Sequence, residues 1–210
     1  MDNPAIMNTK QIALIAVMSA LAIVVAYSRG LAASSLPGVF EFMTVLIFIS
    51  GFCFGALVGV SVGVISLSIY MLVPYPLAHP AAWLYTTSPV LLLVMAALGA
   101  LFGLAGAFSS HILKPAGWGR FSLGLAVIGF ALTLTYDIVS SLGFALAYGM
   151  DIWQSIVLTF VPAYLPWPPI VHTVTNTIIF AIIAPPLIQA VMRLPEMLNS
   201  REIKHKMALT

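Results

Sequence analysis

Charge is what this chain has least of. Charged residues fill 7% of its 210 positions, eight Lys and Arg against six Asp and Glu, where a soluble domain carries roughly a quarter. With hydrophobic residues at 61% and a mean hydropathy of +1.10, the chain has no surface to offer water. A soluble domain is excluded, and the composition is that of an integral membrane protein. Cysteine is almost as scarce. Cys53 stands alone, so no intrachain disulfide is possible and the redox compartment is not legible. Also missing are a Gly-x-x-x-x-Gly-Lys-Ser/Thr loop, a His-Glu-x-x-His pair and a Gly-x-Ser-x-Gly elbow. ATPase chemistry and the commoner hydrolases lose their motifs, and no cofactor, metal site or nucleic-acid partner is implied. A cleaved signal peptide is not expected, because no small-residue cleavage site clearly follows the first apolar run.

What is present is a series of apolar runs. They predict an all-α polytopic bundle of six helices in a single domain spanning 1–210. The first helix runs from about Gln11 to Tyr27 and stops at Ser28-Arg29-Gly30. A short second helix, Val39 to Ser50, joins the third, Phe52 to Leu72, through Gly51. The fourth covers Pro89 to His111 and the fifth Phe121 to Tyr148, with the turn Lys114 to Arg120 between them. An apolar stretch, Ile152 to Val161, is too short to cross and lies along the interface. The sixth helix, Ile170 to Met192, is kinked near its inner end by Pro185-Pro186. Seven of the eight basic residues (Lys10, Lys114, Arg120, Arg193, Arg201, Lys204 and Lys206) fall at alternate boundaries. Cytoplasmic loops retain Lys and Arg, so 1–10 and 193–210 are expected as cytoplasmic tails. Arg29 is then the single basic residue at an outer boundary.

Small residues mark where helices approach closely. Gly51, Gly55, Gly59 and Gly63 recur every four positions, as do Gly99, Gly103 and Ala107, a spacing that lets backbones touch in lipid. On the first helix, Ala16 and Ala20 form one stripe and Ala22 and Ala26 another pair. The Ala16 stripe serves either packing within the bundle or docking of another membrane subunit. Three stretches carry a family resemblance: Ala16-Val-Met-Ser-Ala20, Gly51-Phe-Cys-Phe-Gly55-Ala-Leu-Val-Gly59, and His172-Thr-Val-Thr-Asn176 ending in Ala184-Pro185-Pro186. With six spans, a short second helix and long outer loops, the chain resembles the substrate-binding S component of energy-coupling factor (ECF) transporters. The resemblance implies cytoplasmic ends, a plasma-membrane location and no enzymatic activity. It also implies docking through Ala16 and Ala20 onto a transmembrane coupling subunit served by two ATPase subunits, and outer loops that close over a small vitamin-like nutrient.

Polar groups inside apolar spans are expensive, about 2.5–3.5 kcal/mol for a central charge on insertion scales, and so tend to serve function. Asp137 lies about seventeen residues into the fifth helix, roughly 25 Å from its inner end at 1.5 Å per residue. Thr133, Ser140, Ser141 and Phe144 surround it at helical spacing. Glu41 opens the second helix and has two readings, an ion pair with Arg29 or a ligand contact. His172 and Asn176 stand one turn apart on one face of the sixth helix. Asn176 needs partners for four hydrogen-bonding sites where lipid supplies none. Asp137 and Asn176 are expected to line one polar pocket, with His172 and Trp83 at its mouth and His79 and Tyr85 nearby. The expected function is capture of a nutrient by an ECF-type importer. The alternative is a stand-alone proton- or cation-coupled transporter. Two acids against one outer Arg favour a cationic or amine-bearing ligand, while a neutral ligand fits if Glu41 pairs with Arg29.

Overall fold

The computed structural model describes residues 7–32, 41–73, 88–115, 117–160 and 168–193. Their elements, in chain order, are α1 (Thr9–Ala32), α2 (Phe42–Phe54), α3 (Ala56–Leu72), α4 (Pro89–Ile112), α5 (Trp118–Tyr148), α6 (Ile152–Phe160) and α7 (Pro168–Ile182). The described residues are helical with no strand among them. Among the described residues four segments are long and apolar enough to cross a membrane: Thr9–Ser28, Pro89–Ile112, Trp118–Tyr148 and Ile170–Arg193. α2 and α3 are shorter apolar helices of 13 and 17 residues.

The ends of these helices follow from local chemistry. Asn8 and Gln11 close a reciprocal capping box on α1, the Asn8 side chain accepting from the Gln11 N–H at 2.8 Å and the Gln11 side chain accepting from the Asn8 N–H at 3.1 Å. α1 does not stop at Ser28-Arg29-Gly30 but runs on to Ala32. Glycine weakens a helix by about 1 kcal/mol without ending it, and the Ser28 hydroxyl folds back onto the Val25 carbonyl at 2.9 Å. Ser88 caps α4, with Pro89 in the first turn. Gly149, in the left-handed region with φ 63°, ends α5. Asp151 then accepts the N–H groups of Trp153 and Gln154 and so starts α6.

The joint between the second and third helices lies at Gly55, not Gly51. Gly55 adopts φ 90°, ψ 172°, a conformation closed to residues bearing a Cβ. Gly51 stays helical and does a different job. A Cβ there would strike the backbone of Gly103 on α4, one on Gly59 would meet Gly51 and Gly103, and Gly63 and Gly99 would collide with each other's carbonyls. Residue numbers rise along α3 as they fall along α4, so these two helices run antiparallel in backbone contact. α2 is the centre of this group. Most of it is buried, including Ile47, Phe48 and Ile49, and it packs against α1, α3, α4 and α7. A helix apolar all round belongs in such a core.

α5, α6 and α7 form a second group. Aromatic contacts stitch the two together: Phe48 to Phe180 at 5.2 Å, Phe52 to Phe121 at 5.9 Å and Phe102 to Tyr136 at 6.3 Å between ring centroids. Gly129 on α5 leaves room for the Phe180 ring. α7 breaks at Ile183 and resumes as the helical segment 184–193. Pro185 and Pro186 have no N–H to give the carbonyls one turn earlier, and the next bond, Leu187 N–H to the Ile183 carbonyl, is long at 3.4 Å.

On α1 the two alanine stripes separate cleanly. Ala22 and Ala26 are buried, whereas Ala16 and Ala20 are exposed beside Val17 and Leu21. The first pair packs the bundle. The second leaves a flat, small-residue face.

Candidate functional site

Most hydroxyls in these helices are satisfied by their own backbone. Ser50, Ser109, Thr135, Thr175 and Thr177 each donate to the carbonyl one turn earlier, the usual way for such side chains to sit in an apolar helix. Ser140 and Ser141 behave similarly, both donating to the main-chain carbonyl of Asp137. They lie beside the acid in sequence but do not touch its carboxylate. Phe144 turns to Tyr148, with ring centroids 4.7 Å apart.

A different set of side chains bonds across helices, at the seam between the two groups. Asp137 on α5 directs Oδ1 to His172 Nδ1 at 2.8 Å and accepts the Thr173 hydroxyl on Oδ2 at 3.1 Å, both from α7. The other ring nitrogen, His172 Nε2, lies 3.3 Å from Glu41 Oε2 at the start of α2. Asn176, one turn below His172, accepts the Glu41 backbone N–H on Oδ1 at 3.1 Å. Its amide nitrogen reaches His172 Nε2 at 3.0 Å and Thr133 on α5 at 3.4 Å. The Tyr136 ring packs edge-on to the imidazole, centroids 6.0 Å apart. Asn176 is 1% exposed, Glu41 5%, Asp137 6% and His172 7%. Such burial of ionisable groups is tolerated only with partners, and here each has them.

The local sequence explains the convergence. Glu41 is the N-cap residue of α2 but makes no side-chain cap bond; its carboxylate reaches across to α7. The stretch Val171-His-Thr-Val-Thr-Asn176 puts His172, Thr173 and Asn176 on the buried side of α7 and leaves Val174 exposed. Asp137 and Thr133, four residues apart, present the matching stripe on α5.

Four of the sequence-derived candidates therefore meet: Asp137, His172, Asn176 and Glu41. His172 is not at a mouth. It is the hub, buried between two carboxylates, because each ring nitrogen finds its own acid. Glu41 meets His172, a partner that charge counting alone did not suggest. Trp83, His79 and Tyr85 lie outside the described residues, as does the side chain of Arg29. Thr173 and Tyr136 were missed. Thr173 sits three residues before Asn176, a helical spacing that could have flagged it, and Tyr136 directly precedes Asp137. Among the described residues no three His, Cys, Asp or Glu side chains converge to hold a metal ion. The geometry gives the reason: Asp137 and Glu41 approach opposite nitrogens of one ring.

The arrangement pairs an excess of negative charge with directional donors and acceptors, at a junction of helices where ligand sites form in bundles. A protein-family model described as ECF transporter, substrate-specific component, matches residues 10–188, a span that contains every residue of the cluster. Neither a curated protein nor a solved structure matches the chain.

Proposed function

This chain belongs to the substrate-specific components of ECF transporters, and from that membership we propose that it captures a small vitamin-like nutrient at the Asp137–His172–Asn176–Glu41 cluster. Components of this family are membrane-embedded transporter subunits, not enzymes, and associate with the subunits of an ECF module. In the proposed arrangement the chain crosses the plasma membrane six times, α2 and α3 included, with both ends in the cytoplasm. The cluster then faces outward, with Arg29 and Trp83 at its mouth. Ala16 and Ala20 dock α1 onto a transmembrane coupling subunit, and two ATPase subunits supply the energy for import.

The observation that carries this reading is the cluster itself. Six side chains, Thr133 and Asp137 on α5, His172, Thr173 and Asn176 on α7 and Glu41 at the start of α2, converge on one another, and all but the Asn176–His172 contact cross between helices. Simple stabilisation of a bundle in lipid does not require this, since interhelical hydrogen bonds there average only about 0.6 kcal/mol, far less than a central charge costs to insert. The exposed Ala16 and Ala20 face supports the docking half, because small residues allow backbone approach by a partner helix. Family membership favours this reading over a stand-alone coupled transporter.

The test is mass spectrometry of small molecules retained by the detergent-purified protein. A nutrient should co-purify with the native sequence and be lost from Asp137→Ala and Asn176→Ala variants that still fold. Retention at undiminished affinity by both variants would remove the cluster from the site.

A further inference from the structure

Between α1, α2 and the inner part of α7 the bundle leaves an apolar groove of about 210 Å³. Leu21 and Val25 on α1 form one wall, Ile183 and Leu187 at and beyond the α7 break form the other, and Phe42 and Leu46 on α2 lie between them. Leu21 is 45% exposed and Leu187 40%, so the groove opens on the outside of the bundle. None of Asp137, His172, Asn176 and Glu41 lines it. It is smaller than the roughly 300–1,000 Å³ of a pocket that encloses a small-molecule ligand, yet roomier than the apolar cavity of about 150 Å³ that holds benzene. Left empty, such a space forfeits dispersion contacts along every wall. A segment of flexible apolar chain fits it.

The helix directions show which boundary the groove faces. Tyr27 on α1 reaches the Val73 carbonyl at the end of α3, and α2 doubles back into α3 at Gly55, so α2 runs antiparallel to α1. α2 runs alongside α7, pairing Glu41 with Asn176 and Phe48 with Phe180. The start of α1 and the end of α7 therefore meet one membrane boundary, where Lys10 and Arg193 are both exposed. The α4–α5 turn joins them there, because α4 runs antiparallel to α3. At 1.5 Å per residue Leu187 stands roughly 9 Å from Arg193 along its helix, and Leu21 roughly 17 Å from Lys10. One leaflet of hydrocarbon is about 15 Å deep, half of the bilayer core. In sequence, the stretches that adjoin this boundary, 1–10, 113–120 and 193–210, hold seven Lys and Arg against Asp2, Glu196 and Glu202. The boundary is net basic whichever of these groups pair.

We propose that this groove is an anionic phospholipid site, with the far part of one acyl chain seated between α1 and α7 and the headgroup held by Lys10 and Arg193. The depth of the groove below those two residues matches the reach of a chain through its own leaflet, and the basic boundary complements a negative headgroup. The chain packs against Ile183, where α7 breaks and the Leu187 N–H reaches its acceptor only at 3.4 Å, so it fills a place that the interrupted helix leaves open. A helix of a coupling subunit fits the groove less well. Leu21 and Val25 stand five positions beyond Ala16 and Ala20, about 140° round α1 from that small-residue face. A partner seated on the alanines leaves the groove to lipid.

Native mass spectrometry of the delipidated full chain in detergent, titrated with dioleoyl phosphatidylglycerol or dioleoyl phosphatidylcholine, tests this. The first phosphatidylglycerol should bind about tenfold or more tighter than the first phosphatidylcholine, since each basic residue beside an anionic lipid contributes about fivefold. The double variant Lys10→Gln, Arg193→Gln should bring the two lipids level. Lys114→Gln, on the turn between two helices that do not line the groove, should keep the preference. Leu187→Trp, at a position exposed enough to carry a larger ring, should fill the groove and weaken both lipids by about fivefold, the worth of a partly buried apolar chain segment. The thermal midpoint of each variant checks its folding. Equal binding of the two lipids, no binding of either, a preference that survives the double variant, or undiminished binding to folded Leu187→Trp would each overturn the proposal. A dimer that Leu187→Trp dissociates would give the groove to a second copy, and release of bound phosphatidylglycerol on adding a coupling subunit would give it to that partner; either result also overturns the lipid site.

Discussion

Replacing Asn176 by Leu tests how much of the bundle depends on its polar seam. The two side chains have similar volume, so the change removes polarity with little change in packing. Asn176 is 1% exposed and makes two short contacts, to the Glu41 N–H at 3.1 Å and His172 Nε2 at 3.0 Å, with a longer one to Thr133 at 3.4 Å. Leucine leaves the Glu41 N–H without that acceptor, at the N-cap position of a helix with no side-chain cap. In water-soluble proteins an orphaned buried group costs about 1–3 kcal/mol. In lipid the unfolded reference also finds partners, and a typical interhelical bond falls to about 0.6 kcal/mol. Two short bonds then set a floor near 1 kcal/mol and a working figure of about 2 kcal/mol, or roughly thirtyfold in the unfolding equilibrium. Thr177→Val is the control, since that hydroxyl is spent on the Thr173 carbonyl of its own helix at 2.7 Å and should cost under about 0.5 kcal/mol. Steric trapping in bicelles measures both. If the two variants unfold alike, the cross-helix network contributes nothing to stability and the reasoning fails.

Gly63→Ala should destabilise by about 1–3 kcal/mol or more, because its Cβ meets the Gly99 backbone rather than a movable side chain, while Gly119→Ala, with open space around it, should be neutral or slightly stabilising in the same assay. Ala16→Trp should abolish co-purification with a coupling subunit and leave ligand retention intact, whereas Ala22→Trp, at a fully buried position, should lose the folded monomer; loss of folding in both would assign the Ala16 face to internal packing. In the Cys53→Ser background, a cysteine at position 114 should react with an impermeant thiol reagent only after permeabilisation and one at position 79 in intact cells; the reverse pattern would invert the topology.

Much of this architecture was legible because lipid makes polar residues conspicuous. Asp137, His172 and Asn176 stood out as costly groups at matching helical spacing, and they do meet. Glycines at intervals of four marked the α3–α4 contact correctly. What sequence could not rank was which of four equivalent-looking glycines turns the chain. Gly55 does so because it alone in the series adopts positive φ, while Gly51, Gly59 and Gly63 are needed where backbones touch. The Ser28-Arg29-Gly30 break failed as a helix stop because none of the three enforces one, unlike Pro185-Pro186, whose missing N–H groups interrupt α7 as expected. His172 was misjudged as a rim residue. A histidine's depth depends on partners from other helices, and Glu41 lies 131 positions away in sequence but only 3.3 Å away across the seam. Thr173 was overlooked for a related reason: one hydroxyl among many looks self-satisfied until its acceptor on another helix is known.

The most direct measurement is an experimental structure of the protein carrying the molecule it retains from its native membrane. The account predicts ligand density at the α2–α5–α7 seam, with polar atoms within about 3 Å of Glu41 or Asn176 and the Nε2 side of His172 turned toward it. A ligand bound elsewhere, with Asp137, His172, Asn176 and Glu41 still closed on one another, would contradict it.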